Sequence, residues 1–131
     1  MLDREEILST IDAAYAARTR GDRMALAGFW APGATYQLVG ASMLPRVPVG
    51  LSEMQEAVGA LIDIFQFHEV ERLGAVVEGF RAVLHWRIMF STGAGSFATT
   101  EVCDLWEFAP DGKIRSLLQF TDTALLRILL N

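Results

Sequence analysis

The chain has 131 residues, 52% of them hydrophobic, and a formal net charge of −5. That length suits one domain with its own core, spanning residues 1–131, and leaves no room for two. Eleven Lys and Arg are scattered without a basic stripe, which argues against a nucleic-acid groove or an anionic membrane as partner.

The opening Met1-Leu2-Asp3-Arg4-Glu5-Glu6 is acidic and carries no apolar segment, so no secretory leader is expected. Apolar runs stay far short of the ~20 residues that a membrane-spanning helix needs. One cysteine, Cys103, excludes an internal disulfide and fits a reducing, cytoplasmic setting. With no Cys/His cluster around it, Cys103 reads as a small buried hydrophobe. The two histidines, on different elements and without a third ligand, make no metal site, and no cofactor is expected. A mean hydropathy of +0.30 is high for a monomer. It implies an apolar internal cavity and an apolar outer surface covered by a second copy.

In chain order, Asp3 and Glu6 form an N-terminal helix start. Ile7, Leu8, Ile11, Ala14 and Tyr15 then recur at helical spacing, with Glu5, Asp12 and Arg18 between them, up to a stop near Gly21. Asp22 caps a short second helix from about Met24 to Trp30, which Pro32-Gly33 ends. Ala34 to Val39 is rich in β-formers and reads as a short strand. Gly40 to Gly50 is an apolar loop, with Met43, Leu44, Val47 and Val49, suited to covering a pocket opening. Ser52 and Gln55 make a capping box for a third helix, whose Met54, Val58, Leu61, Ile62 and Phe65 share a face.

From Glu69 the apolar period shortens. Residues 69–78 and 80–92 read as two strands around a turn at Gly79, followed by a loop at 92–96. Ala82, Leu84, Trp86, Ile88 and Phe90 fall on one face and Arg81, His85 and Arg87 on the other. Phe97–Phe108 and Lys113–Thr121 make two more strands around Pro110-Asp111-Gly112, and Leu125–Leu130 a terminal helix. Three helices followed by an antiparallel meander indicate an α+β fold: a curved, mostly antiparallel sheet wraps the helices as a cone-shaped barrel. A space left inside such a cone is a natural ligand pocket.

Three stretches carry a family resemblance. Gly21-Asp22 … Phe29-Trp30-Ala31-Pro32-Gly33-Ala34-Thr35 resembles the helix-to-strand junction of the nuclear transport factor 2-like, SnoaL-like proteins. Gly50-Leu51-Ser52 is similar to their entry into helix three. Glu101–Phe108, Asp111-Gly112-Lys113-Ile114 and Phe120-Thr121-Asp122 resemble their last hairpin. The resemblance spans nearly the whole chain and implies a pocket for a hydrophobic small molecule. It also implies either cofactor-free isomerase, cyclase or dehydratase chemistry, or a non-catalytic binding module.

Position by position, the resemblance implies an incomplete site. Leu38 stands where the steroid isomerases of the superfamily carry their carboxylate base, and leucine cannot take a proton. Their first-helix tyrosine falls opposite Ala14, one residue before Tyr15. Their strand aspartate matches Asp104, the one candidate catalytic residue. Gln119 stands where SnoaL-like cyclases carry an acid–base aspartate; it can orient a ligand but not exchange protons. Asp122 suits a cap on the final helix.

Among Val102, Trp106 and Phe108, Asp104 is expected to be desolvated. It is read either as a neutral donor to a ligand or as a structural aspartate bonded to a neighbouring strand. Tyr15, Trp30, Tyr36, Leu38, Trp86, Trp106 and Gln119 are the expected ligand-binding wall. His68, beside Glu69, reads either as a base at the pocket mouth or, the simpler alternative, as a surface histidine. His85, Arg87 and Cys103 are expected near a homodimer contact on the outer sheet face.

Overall fold

A computed structural model describes residues 2–93 and 95–130. Helix α1 spans Arg4–Arg20, with the Asp3 carboxylate accepting from the Glu6 amide at 2.8 Å. Gly21 ends it in the left-handed conformation at φ 69°, which glycine adopts without a Cβ clash. The second helix is shorter than its sequence suggests. Helix α2 covers only Arg23–Ala27, and strand β1 already runs from Trp30 to Leu38. Pro32-Gly33 therefore lies within a strand instead of terminating a helix. The strand tolerates the pair because the register slips between Trp30 and Thr35, a bulge that frees the missing proline donor from the ladder.

A 3-10 turn at Ala41–Met43 follows, and the rest of the 40–50 loop leads to the two-residue strand β2, Ser52–Glu53. Helix α3, Met54–Ile64, is capped by Glu53, whose carboxylate accepts from the Gln55 and Glu56 amides. This replaces the expected Ser52–Gln55 box; the Ser52 hydroxyl bonds the Gly50 carbonyl instead. Strand β3 spans Phe65–Glu78, starting earlier than its alternation suggests and taking in His68. Strands β4 (Arg81–Thr92), β5 (Phe97–Phe108) and β6 (Ile114–Thr121) complete the sheet, and helix α4 spans Thr123–Leu130. The Asp122 carboxylate accepts from the Leu125 amide and caps α4, as expected.

The sheet order is β2-β1-β6-β5-β4-β3, antiparallel throughout except that β1 runs parallel to β6. This is the expected α+β architecture, with the six-stranded sheet ending at β2 and β3 without closing on itself. Ala82, Leu84, Trp86, Ile88 and Phe90 are all buried against the helices, while Arg81, His85 and Arg87 point outward. None of the described helices is long and apolar enough to cross a membrane.

Candidate functional site

The register of the sheet assembles the site. Leu38 pairs with Gln119, Gln119 with Asp104, and Asp104 with Leu84, so these four share one row on the inner face. The next row holds Tyr36, Leu117, Trp106 and Ala82. Trp86 lies opposite Val102 in the row beyond. Residues from four strands thus converge where α1 crosses and presents Tyr15.

Asp104 is fully buried, with no exposed surface. Its Oδ2 accepts from the Tyr15 hydroxyl at 2.6 Å and from Trp86 Nε1 at 3.0 Å. Its Oδ1 accepts from Gln119 Nε2 at 3.0 Å. Gln119 Nε2 also donates to the Tyr15 oxygen at 3.1 Å, and Gln119 Oε1 accepts from the Tyr36 hydroxyl. The Tyr15 and Trp86 rings are stacked obliquely at 4.1 Å.

Burial pushes the Asp104 carboxyl up to about 6, while hydrogen bonds led by Tyr15 and Gln119 pull against that rise. Among the described residues Trp106 Nε1 has no partner within hydrogen-bonding distance, yet its N–H favours the charged carboxylate, last of the four opposing side chains. Burial, with the neighbouring Asp104 next, holds the Tyr15 hydroxyl well above the usual tyrosine range. The same two causes raise Tyr36, opposed by the Arg18 cation.

Beside this network lies a cavity of about 90 Å³. Tyr15, Trp30, Tyr36, Leu38, Trp106 and Gln119 line it. Trp86 and Asp104 lie elsewhere. Trp86 does not line this cavity, because its indole lies against Tyr15 and points its N–H at Asp104. Asp104 also sits behind the wall, with all its close partners donating to it. It reaches the cavity only through Tyr15 and Gln119.

The 40–50 loop contributes nothing to the lining. Leu44 and Val47 are buried in the core, whereas Met43 and Val49 are exposed. Leu126 of α4 contributes to the wall instead. His68 is exposed on β3; its Nε2 meets the Ser91 hydroxyl at 2.7 Å and its ring lies 4.9 Å from that of Phe97. Cys103 is half-buried, not in the core, and its partner in β4 is the outward-facing His85. Among the described residues no group of His, Cys, Asp and Glu could hold a metal ion.

Arg18 is the wall residue that composition and motif concealed. It stands three residues after Tyr15 on α1, the spacing that puts both on one helix face, and it lines the cavity. Its Nη2 donates to the Leu61 and Phe65 carbonyls at 3.1 and 2.8 Å, and its Cζ lies 3.9 Å from the Phe67 ring centroid. Burial lowers its pKa to about 10, so it stays cationic at neutral pH.

Comparison with known proteins agrees with this architecture. An uncharacterised nuclear transport factor 2-like protein from Burkholderia pseudomallei superposes with a TM-score of 0.79 at 20% identity, over 96% of this chain and 98% of that one. TerC co-crystallized with polyporic acid gives 0.78 at 16%, over 95% and 98%. A protein described as a SnoaL-like polyketide cyclase from Jannaschia sp. CCS1 gives 0.74 at 15%, over 99% and 97%. At these identities the likeness establishes the fold alone. No curated protein matches the chain by sequence. The SnoaL-like domain signature matches residues 11–117, from the middle of α1 to the inner row of β6, and the chain therefore belongs to the SnoaL-like family within the nuclear transport factor 2-like fold.

Proposed function

We propose that this protein, as one domain, binds a small hydrophobic molecule bearing a hydrogen-bonding oxygen in the cavity between α1, α3, α4 and the sheet. The observation that carries this reading is an apolar cavity whose wall also holds the Tyr15, Tyr36 and Gln119 polar groups. Predominantly apolar walls with a few convergent polar groups are the usual form of a small-molecule site. TerC, of the same fold, was crystallized with a small organic ligand. Among the described residues no carboxylate lines the cavity, and both tyrosines are held protonated. Binding and orientation therefore come before proton abstraction in this reading. Native mass spectrometry of the purified protein should reveal a small molecule, or accept one from a panel of one- and two-ring aromatics. Failure to retain or accept any such compound refutes the proposal.

One observation favours a second reading, cofactor-free isomerisation, cyclisation or dehydration. The 2.6 Å Tyr15–Asp104 bond couples a cavity-wall hydroxyl to a carboxyl poised near neutrality. Tyr15 could pass its proton to Asp104 while taking one from the ligand, making Asp104 the net base acting through a relay. Activity that survives both Asp104→Asn and Tyr15→Phe excludes that relay.

The proposal includes a homodimer through the outer sheet face. Val83 pairs with Leu105 and His85 with Cys103, and Cys103 in turn pairs with Phe120. Val83, Leu105 and Phe120 are each about 40% exposed, an apolar strip that a second copy would cover.

A further inference from the structure

We propose that the cavity selects an organic anion, a hydrophobic molecule carrying a carboxylate or an ionised acidic hydroxyl, and that Arg18 is the residue that selects it. This deepens the binding proposal above and rests on it.

Arg18 places a charge in an apolar wall. The Arg18 neighbours in the lining are Tyr15, Leu61, Phe65 and Phe67. Among the described residues no carboxylate lies within ion-pairing distance of it. Burying a cation away from water is unfavourable unless hydrogen bonds and a counter-charge compensate. The structure supplies part of that compensation. The Leu61 carbonyl lies in the last turn of α3, at the negative end of its dipole, and the Phe65 carbonyl opens β3, while the Phe67 ring face adds a cation–π contact.

These contacts employ one guanidinium nitrogen. Nη2 makes both hydrogen bonds, while Nε and Nη1 have no partner among the described residues. Arg18 is half-buried, and Nε and Nη1 are not enclosed, so both donors remain open to a ligand. A guanidinium edge is the fork that matches a carboxylate in bidentate fashion. The Phe67 stack and the carbonyl pair fix the plane of that fork, so little orientational freedom remains to be lost on binding.

The other polar pole of the cavity would repel an anion placed beside it. Asp104 lies behind Tyr15 and Gln119, and Tyr36 feels both Asp104 and Arg18 with opposite sign. The resulting field is polarised, negative towards the Asp104 row and positive towards Arg18. A ligand with an acidic group at one end and a neutral apolar body fits in one orientation only. The cavity volume of about 90 Å³ suits a one-ring body of this kind.

The test uses two probes of matched shape, cinnamate and the neutral cinnamamide, titrated at pH 7.5 into the intact chain and followed by amide chemical shifts in two-dimensional NMR. The native protein should bind cinnamate at least ~10-fold more tightly than cinnamamide, with shifts at Arg18, Tyr36 and Phe67. Arg18→Gln should abolish the preference, and Arg18→Lys should retain part of it. Equal affinity of the native chain for both probes overturns the assignment while leaving the binding site standing, and needs no variant to fold. Persistence of the preference in folded Arg18→Gln overturns it as well. Binding of neither probe refutes the anion selection; native mass spectrometry without any retained or accepted compound refutes the underlying site.

Discussion

Replacing Asp104 by Asn isolates the effect of one buried charge. Burial raises this carboxyl from 3.8 to about 6, and every tenfold gain in proton affinity corresponds to about 1.4 kcal/mol. The ionised group therefore destabilises the folded state by about 3 kcal/mol relative to its protonated form. The sign follows from the direction of the change. Because the folded chain holds this proton more tightly than the unfolded one, its contribution to stability is greatest below about pH 4. It declines as pH rises towards about 6 and is constant above. Asparagine carries no titrating proton: its oxygen can accept from Tyr15 and Trp86, and its amide can donate to Gln119 once that side chain turns over, at the loss of the Gln119–Tyr15 bond. Gln119 then donates to the Tyr36 oxygen. Urea unfolding at pH 4, 5, 6 and 7.5, followed by tryptophan fluorescence, measures the difference between the two proteins. Asp104→Asn should match the native chain at pH 4 and exceed it by up to about 3 kcal/mol at pH 7.5. Parallel stability curves across that window, or a native chain that gains on the variant as pH rises, refute the reasoning.

Asp104→Leu should behave oppositely, because the Tyr15, Trp86 and Gln119 donors lose their acceptor. At ~1–3 kcal/mol for each stranded donor, a loss of several kcal/mol is expected in the same urea assay. Tyr15→Phe removes the shortest bond to Asp104 and should raise the Asp104 pKa further, read as a later midpoint of its carboxyl resonance in an NMR titration; an unchanged midpoint contradicts the described network. On Δ5-3-ketosteroids the native chain should show no turnover above background. Leu38, at the end of β1 and on the cavity wall, cannot act as base, and a general base contributes ~10²–10⁴-fold. Leu38→Asp should restore part of that activity if the steroid enters, while efficient turnover by the native chain would show another base. Light scattering at micromolar concentration should give a dimer, and Leu105→Glu a monomer of unchanged fold; a native monomer ends the dimer proposal.

The order of helices and strands was legible in the sequence because each rests on a local period. The buried face of β4, from Ala82 to Phe90, and the helix start at Asp3 follow directly from alternation and capping chemistry. Local signals misled where a non-local partner prevailed. Pro32-Gly33 looks like a helix stop, but pairing with β6 draws the segment into a strand through a bulge. Ser52 looks like a cap, but the Glu53 carboxylate takes the Gln55 amide with one oxygen and the Glu56 amide with the other.

The individual polar residues of the site were also legible: Asp104, Tyr15, Gln119 and Tyr36 stand out as polar groups on apolar faces. Their arrangement was not. Whether Asp104 faces the cavity or lies behind it depends on the row shared by Leu38, Gln119 and Asp104. It depends equally on how α1 lies across that row to deliver Tyr15, and neither relation has a local code. Trp86 and Arg18 illustrate the same limit from opposite sides. An aromatic on the inner face became an internal hydrogen-bond donor, and an arginine among surface-like charges became part of the wall. Periodicity states which face a side chain occupies; only the packing of one face on another decides what it meets there.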